Sequence, residues 1–403
     1  MRAAFLSHTA MGGDFVVGSH HLARAFATRG HEVLHVSAPV SPAHLLRLGD
    51  AFVRRRFARW ARGGSEIAAV RDIVPFSLLP WALARRSKSL MAMHVATMLA
   101  SPSSATGSLR LHEADALIVD EPRLAGLVVR SPKALVYRAT DLYAQMRGDD
   151  RIVDLEQDLC RRANVLIGTS DVVATHLRAL SGRTVHVIGN GVDYEHFAAA
   201  RAGEDPRGLP GERATRAIYV GAFDGRFSTD ALRAAARALP RIHFLLAGPG
   251  GDRVAGALRL PNVLALGPVD YLRLPAVLGA CAVGLLPFSQ DSANAGRSPM
   301  KLYEYAAAGL AIAATSTLRS GASFPPTLCV AADEGAFPAA VAHAFVLAAD
   351  ESRVQRAREL ARAEDWNAKA GELLRLLEPA MARGDERAAL GLASPWATGG
   401  TWS

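Results

Sequence analysis

Short runs of β-type residues alternate with helix-length amphipathic stretches from one end of the chain to the other. Two strands joined through a helix can pair parallel only if the helix crosses a face of the sheet. The pattern therefore specifies parallel sheets covered by helices on both faces, an α/β class of doubly wound type. In the first half, strands are predicted at Ala3–Ser7, Glu32–Val36, Ala116–Val119, Ala134–Tyr137, Val165–Gly168 and Val185–Ile188. From Ala198 to Thr215 the periodicity lapses into a Gly, Pro and charge-rich stretch that reads as a linker. Alternation resumes at Ala217–Val220, His243–Ala247, Val263–Leu266 and Val283–Leu286, and helical stretches from about Ala336 to Ala382 close the pattern. A length of 403 residues suits two such sheets. The expected organisation is one domain over 1–197, a linker over 198–215, a second domain over 216–382 and a loosely held tail over 383–403.

Half of the residues are apolar and 21% are charged, which supports packed cores and excludes a disordered chain. Lys and Arg number 46 against 38 Asp and Glu, a net charge of +8 that favours an anionic partner without naming it. Cys160, Cys281 and Cys329 lie far apart and outside any zinc-ligand spacing, so a reducing compartment and no metal are expected. The apolar stretch Ala3–Leu6 is too short for a secretory signal. Ser89–Leu109, the longest uncharged run, is interrupted by His94 and Pro102, so no membrane-spanning helix is expected.

Candidate chemistry lies at the strand ends. The first strand runs into His8-Thr9-Ala10-Met11-Gly12-Gly13, where two glycines either make an ordinary turn or let the backbone approach an acceptor or phosphate closely. Val220-Gly221-Ala222-Phe223 and Ala247-Gly248-Pro249-Gly250-Gly251 repeat the theme after two successive strands of the second domain, which suggests a nucleotide cleft. Further on, Ser298-Pro299-Met300-Lys301-Leu302-Tyr303-Glu304 reads as a helix start, with Ser298 as cap and Pro299 in the first turn. The unpaired N–H groups of such a start, joined by the Lys301 charge, suit a diphosphate. Glu304, one turn on, is either a carboxylate for two ribose hydroxyls or half of an ordinary surface ion pair.

Met300-Lys301-Leu302-Tyr303-Glu304-Tyr305 with Gly309, preceded by Gly284-Leu285-Leu286-Pro287-Phe288, resembles the nucleotide-sugar signature of GT-B glycosyltransferases. Leu135-Val136-Tyr137-Arg138-Ala139-Thr140-Asp141 and Gly189-Asn190-Gly191-Val192-Asp193 resemble the family of the bacterial membrane-associated glucuronosyltransferase of xanthan assembly and related exopolysaccharide enzymes. This resemblance implies two Rossmann-like domains facing a central cleft, with acceptor held mainly by the first and nucleotide-sugar mainly by the second. It places the catalytic aspartate on Asp141 as general base, Met300 near the ribose or phosphates and Val269 near the base of the nucleotide. A second glutamate found in many retaining relatives would fall on Gly296, so inversion is expected. Arg297, Ser292 and Asn294 are either donor contacts or solvated loop residues.

A second signal lies over His44–Arg62, where six arginines stand against one aspartate. Leu45, Leu48, Phe52 and Trp60 fall near one helical face, so the segment is either an interfacial helix on anionic lipid, touching through Arg54, Arg55, Phe57 and Trp60, or a solvated basic face. Trp81, Arg85, Arg86 and Lys88 extend its character. His20 and His21 read as packing or acceptor-side residues, and Trp366 as the anchor of the last helix.

Taken together these features predict a cytoplasmic glycosyltransferase, peripheral to the inner membrane. It would move a sugar from a nucleotide donor, UDP being expected, to a lipid-linked or polysaccharide acceptor, with no metal or other cofactor and no nucleic-acid partner. The donor would meet Gly221, Gly248, Val269, Met300, Lys301 and Glu304, and the acceptor Gly12 and Gly13. The competing readings are a sugar-nucleotide epimerase on the same scaffold and a non-catalytic protein that binds membrane or nucleic acid.

Overall fold

The computed structural model describes residues 1–13, 16–101, 110–128, 132–200, 208–315 and 324–389. They divide into two compact units: residues 1–169, 173–188 and 370 onwards form the first, and residues 170–172 and 189–369 the second.

The first unit is built on an eight-stranded sheet: β1 (Arg2–Leu6), β2 (Glu32–Val36), β3 (Ser65–Ile67), β4 (Val70–Ile73), β5 (Ala116–Val119), β6 (Ala134–Ala139), β7 (Val165–Gly168) and β8 (His186–Val187). Their order across the sheet is β3-β4-β2-β1-β5-β6-β7-β8, parallel throughout except where β3 pairs antiparallel with β4 at the edge. β5, β6 and β7 are buried along their whole length, as strands covered on both faces must be.

The second unit carries a six-stranded parallel sheet: β9 (Arg216–Val220), β10 (His243–Ala247), β11 (Val263–Gly267), β12 (Val283–Leu286), β13 (Ala311–Ala314) and β14 (Leu328–Val330), in the order β11-β10-β9-β12-β13-β14. Alternation along its strands divides the core in two. Ile218, Leu245, Leu286 and Ile312 pack in one layer with the Met300–Ala307 helix, while Ala217, Tyr219, Phe244, Leu246 and Leu285 pack in the other with the Phe337–Ala348 helix.

Counted in chain order, the second sheet reads 3-2-1-4-5-6, and the parallel strands of the first begin the same way, the order of dinucleotide-binding sheets. Connections leave the first strand on opposite sides. A crevice therefore opens at the carboxyl ends between β1 and β5 in one unit and between β9 and β12 in the other.

Several elements differ from expectation. β3, β4, β13 and β14 were not anticipated: β4 hides a charged Arg71-Asp72 pair inside a strand, and β13 is Ala-Ile-Ala-Ala, of low intrinsic strand preference. The basic segment is two pieces, a 3₁₀ turn over Pro42–Arg47 and a helix over Ala51–Ala61 whose first turn is capped by Asp50. Residues 201–207 of the expected linker and 390–403 of the expected tail lie outside the described residues, and the last described helix continues over Trp366–Ala389. Trp366 is buried at its start.

Candidate functional site

In the second unit the crevice is opened by the register. β9 and β12 pair only through Val283–Ala217 and Gly284–Ile218, and beyond that the strands part. The Tyr305 ring lies in the gap: its hydroxyl accepts the Val220 N–H at 3.0 Å, and a Cβ on Gly284 would stand 2.3 Å from it. Strand β12 therefore carries glycine where the ring crosses the sheet.

The two glycine turns that the sequence singles out meet at this rim. Gly221 N–H donates to Ala247 O at 3.0 Å and Gly248 N–H to Gly267 O at 2.8 Å. At Gly248, with φ of +141°, a Cβ would fall 1.9 Å from the Gly221 carbonyl oxygen, so the close approach requires glycine. Val269 follows β11 on the same carboxyl-end rim, partly buried against the core.

The Met300–Ala307 helix links β12 to the parallel β13, so its N-terminus lies at the carboxyl ends of the strands. Pro299, not Ser298, holds the N-cap position, and no side chain caps the first turn. Ser298 is instead tied to Asn190: its hydroxyl accepts the Asn190 N–H at 3.0 Å, and its carbonyl accepts the Asn190 side-chain amide at 2.8 Å. Ser170 Oγ similarly holds Gly296 O at 2.9 Å. The approach to the helix is thus fixed, and no N-cap side chain covers its first N–H groups. Lys301 Nζ and Glu304 Oε2 are 2.5 Å apart, with side chains 26% and 4% exposed. That is no solvated surface pair: the carboxylate is buried and the lysine reaches out. Arg297 lies over the Phe288 ring at 5.1 Å. Asn294 is buried, and its amide goes to the Arg226 and Ser289 carbonyls.

In the first unit the loop after β1 is pinned from beneath. His20 joins its two sides, donating from Nε2 to Thr9 O at 2.9 Å and accepting the Val17 N–H on Nδ1 at 3.4 Å. Both nitrogens are committed only in a neutral ring. Burial, with the nearby His35, accordingly pushes the His20 pKa down to about 3. Asp72, buried in β4, accepts from His35 Nδ1 at 2.7 Å, from Arg59 at 2.6 Å and from the Met11 N–H at 3.3 Å. Arg59 also donates to Met11 O. Gly12 and Gly13 sit at the exposed turn of this held loop, Gly12 with φ of +63°.

Asp141 follows β6 and is partly exposed. The helix beyond it, Tyr143–Arg147, takes Leu142 as its N-cap, so Asp141 is not its cap. Around the ends of β5 and β6 stands a charged group that the sequence reading did not single out. Asp120 pairs with the buried Arg138 at 2.6 Å, and Tyr143 Oη donates to the Asp120 carbonyl. Burial raises the Asp120 pKa, against Arg138. Glu121 is gripped by Arg123 at 2.9 Å and Arg147 at 2.8 Å; burial works to raise its pKa, but the two guanidinium groups outweigh it and hold it low. The available signal was Asp120-Glu121 directly after a buried strand, where cleft-facing charges belong.

The basic helix lies on this loop. Phe57 and Trp60 turn inward, Trp60 stacking on Phe76 at 5.1 Å, and pack on Ala10, Val40 and Val74. Arg54 and Arg55 are exposed. The outward apolar side chains are instead Leu45, Leu46 and Leu48, at 52%, 91% and 42% exposure. No described helix is long and apolar enough to cross a membrane. Among the described residues no group of three or more His, Cys, Asp or Glu could hold a metal ion.

Two units, each a doubly wound parallel sheet with its crevice at the strands' carboxyl ends, define the chain as a two-domain α/β protein of the GT-B glycosyltransferase fold. Sucrose-phosphate synthase from Thermosynechococcus elongatus superimposes with a TM-score of 0.70 at 18% identity, over 95% of this chain and 99% of that one. Anabaena HepE, solved with UDP and glucose, gives 0.60 at 15% over 94% and 100%. WaaG, a glycosyltransferase involved in lipopolysaccharide biosynthesis, gives 0.56 at 14% over 92% and 98%. In sequence, 227 residues are 29% identical to TuaH of Bacillus subtilis (strain 168), described as a teichuronic acid biosynthesis glycosyltransferase. The match takes in 54% of this chain and 57% of that relative. No family model matches the chain.

Proposed function

We propose that the protein is a glycosyltransferase that moves a sugar from a nucleotide donor, UDP by preference, to a lipid-linked or polysaccharide acceptor. The observation that carries the reading is the rim of the second unit. Backbone turns at Gly221 and Gly248, an uncapped helix start and a partly exposed lysine held by a buried carboxylate gather at the carboxyl ends of a nucleotide-type sheet. The UDP in the HepE structure and the role of the TuaH relative point the same way.

In this reading Asp141 takes the proton from the acceptor hydroxyl as its oxygen bonds to the anomeric carbon. The bond from that carbon to the diphosphate breaks, and its electron pair leaves with the nucleotide. Lys301 and the Met300 helix start offset the charge that develops on the leaving oxygen, while Glu304 orients Lys301 and the ribose. Attack opposite the leaving group inverts the anomeric centre. Leu45, Leu46 and Leu48, with Arg47, Arg54 and Arg55, form the face that would rest on an anionic lipid surface.

Calorimetric titration with UDP, GDP, dTDP and ADP tests the donor assignment. UDP binding to the unaltered chain, and its loss in Lys301→Ala, is the expected result. Binding by none of the four nucleotides would remove the reading. Flotation with phosphatidylglycerol vesicles, compared with Leu46→Asp, tests the lipid face.

A further inference from the structure

Arg56 stands apart from the other inward arginine of the basic helix. Where Arg59 meets Asp72, the Arg56 guanidinium has only carbonyl oxygens, those of Ala38 and, at 3.2 Å, Pro39, just beyond β2. Its Nε is buried without a hydrogen-bond partner, and the guanidinium carbon lies over the Phe52 ring, 5.6 Å from its centre. The carboxylate whose field reaches it is Asp72, already shared by His35 and Arg59. Burial and the positive charge of Arg123 push its pKa down to about 10, which still leaves it a cation at neutral pH. A half-buried charge without a counterion is costly unless an anion completes it.

Arg123 supplies the other wall. It follows β5 as Arg56 is fixed behind β2, and these two strands are the neighbours of β1 on either side. Glu121 is one carboxylate between two guanidinium groups, Arg123 and Arg147, whose side chains remain 22% and 24% exposed. Positive charge is therefore in surplus on both sides of the loop that carries Gly12 and Gly13.

We propose that Arg56 and Arg123 form an anion subsite in the first unit that takes a phosphate or diphosphate group. This rests on the glycosyltransferase reading, and it makes the acceptor a phosphorylated molecule, the phosphate belonging either to its own linker or to a lipid headgroup beside it. Arginine suits the task because its planar fork matches phosphate oxygens two at a time.

The test is titration of inorganic pyrophosphate into the full chain saturated with UDP, which occupies the second unit. A single binding event, weakened at least tenfold in Arg56→Gln and recovered only in part in Arg56→Lys, which keeps the charge but not the fork, is expected. No pyrophosphate binding, or equal binding by Arg56→Gln that retains the melting temperature of the unaltered chain, overturns the proposal. Should UDP itself not bind, the donor reading fails, and the same titration with Lys301→Ala still decides on the anion subsite. Farnesyl diphosphate and phosphatidylglycerol vesicles, each set against pyrophosphate, distinguish a linker from a headgroup; competition by either upholds the subsite.

Discussion

Gly248→Ala is the sharpest probe of the proposed donor rim. The added Cβ would stand 1.9 Å from the Gly221 carbonyl oxygen and 2.9 Å from its carbon, so the two turns must part by about 1 Å or more to regain ordinary contact. Parting them strains the Gly221 N–H bond to Ala247 O, now 3.0 Å, a loss of about 1 kcal/mol. Holding alanine at a φ of +141° adds a further cost of about 1 to 3 kcal/mol. The sum, about 2 to 4 kcal/mol, corresponds in a unit of this size to a fall of roughly 4 to 16 °C in melting temperature. Because the displaced atoms are those assigned to the nucleotide, UDP affinity should fall at least tenfold with them. Differential scanning calorimetry with and without UDP reads both. A melting temperature within 1 °C of the unaltered chain, with the same UDP affinity, would show that the turns do not meet as described.

Three further outcomes are expected. Asp141→Asn should leave UDP binding intact and slow sugar transfer by about 10² to 10⁴, the usual worth of a general base; equal rates of UDP release from a UDP-sugar in the presence of acceptor would take that role away. Lys301→Ala removes the charged contact proposed for the diphosphate, worth about 1.5 to 3 kcal/mol, and should raise the UDP dissociation constant at least tenfold by calorimetry. His20 binds its proton more weakly folded, at about 3, than unfolded, near 6.5, so the unfolded chain takes up the proton between those values. Its contribution is complete above pH 6.5 and is lost as pH falls, at up to about 1.4 kcal/mol per unit; urea unfolding at pH 6.5 and 4.5 should show a shallower loss in His20→Gln.

Much of this architecture was legible because buried parallel strands announce themselves as short apolar runs. Glu32–Val36, Val165–Gly168, His243–Ala247 and Val283–Leu286 lie where periodicity puts them. β4 was opaque because Asp72 is stabilised by His35 and Arg59, partners distant in sequence that no local pattern reveals. β13 was opaque because alanine fills it to make room for close packing, not because alanine favours strands. In the second unit, helical spacing puts Lys301 and Glu304 within reach of one another, and the turns at Gly221 and Gly248 could be read from their place after strands; that the Glu304 carboxylate is buried could not. Which of those glycines were needed for close approach could not. The basic segment left two readings open: helical spacing puts Trp60 near one face with Leu45, Leu48 and Phe52, but cannot say whether that ring meets lipid or the protein's own Phe76, on which it stacks.

The division of the arginines between the two sides of that helix separates two responses to salt. Arg47, Arg54 and Arg55 lie where dissolved ions reach them, and at physiological ionic strength their pull on a charged surface is screened beyond about 8 Å. Arg59, against the buried Asp72 and the Met11 carbonyl, is shielded by the protein around it. Rising ionic strength should therefore weaken the proposed hold on an anionic surface while the loop beneath the helix keeps its shape, so that the two respond independently to the medium.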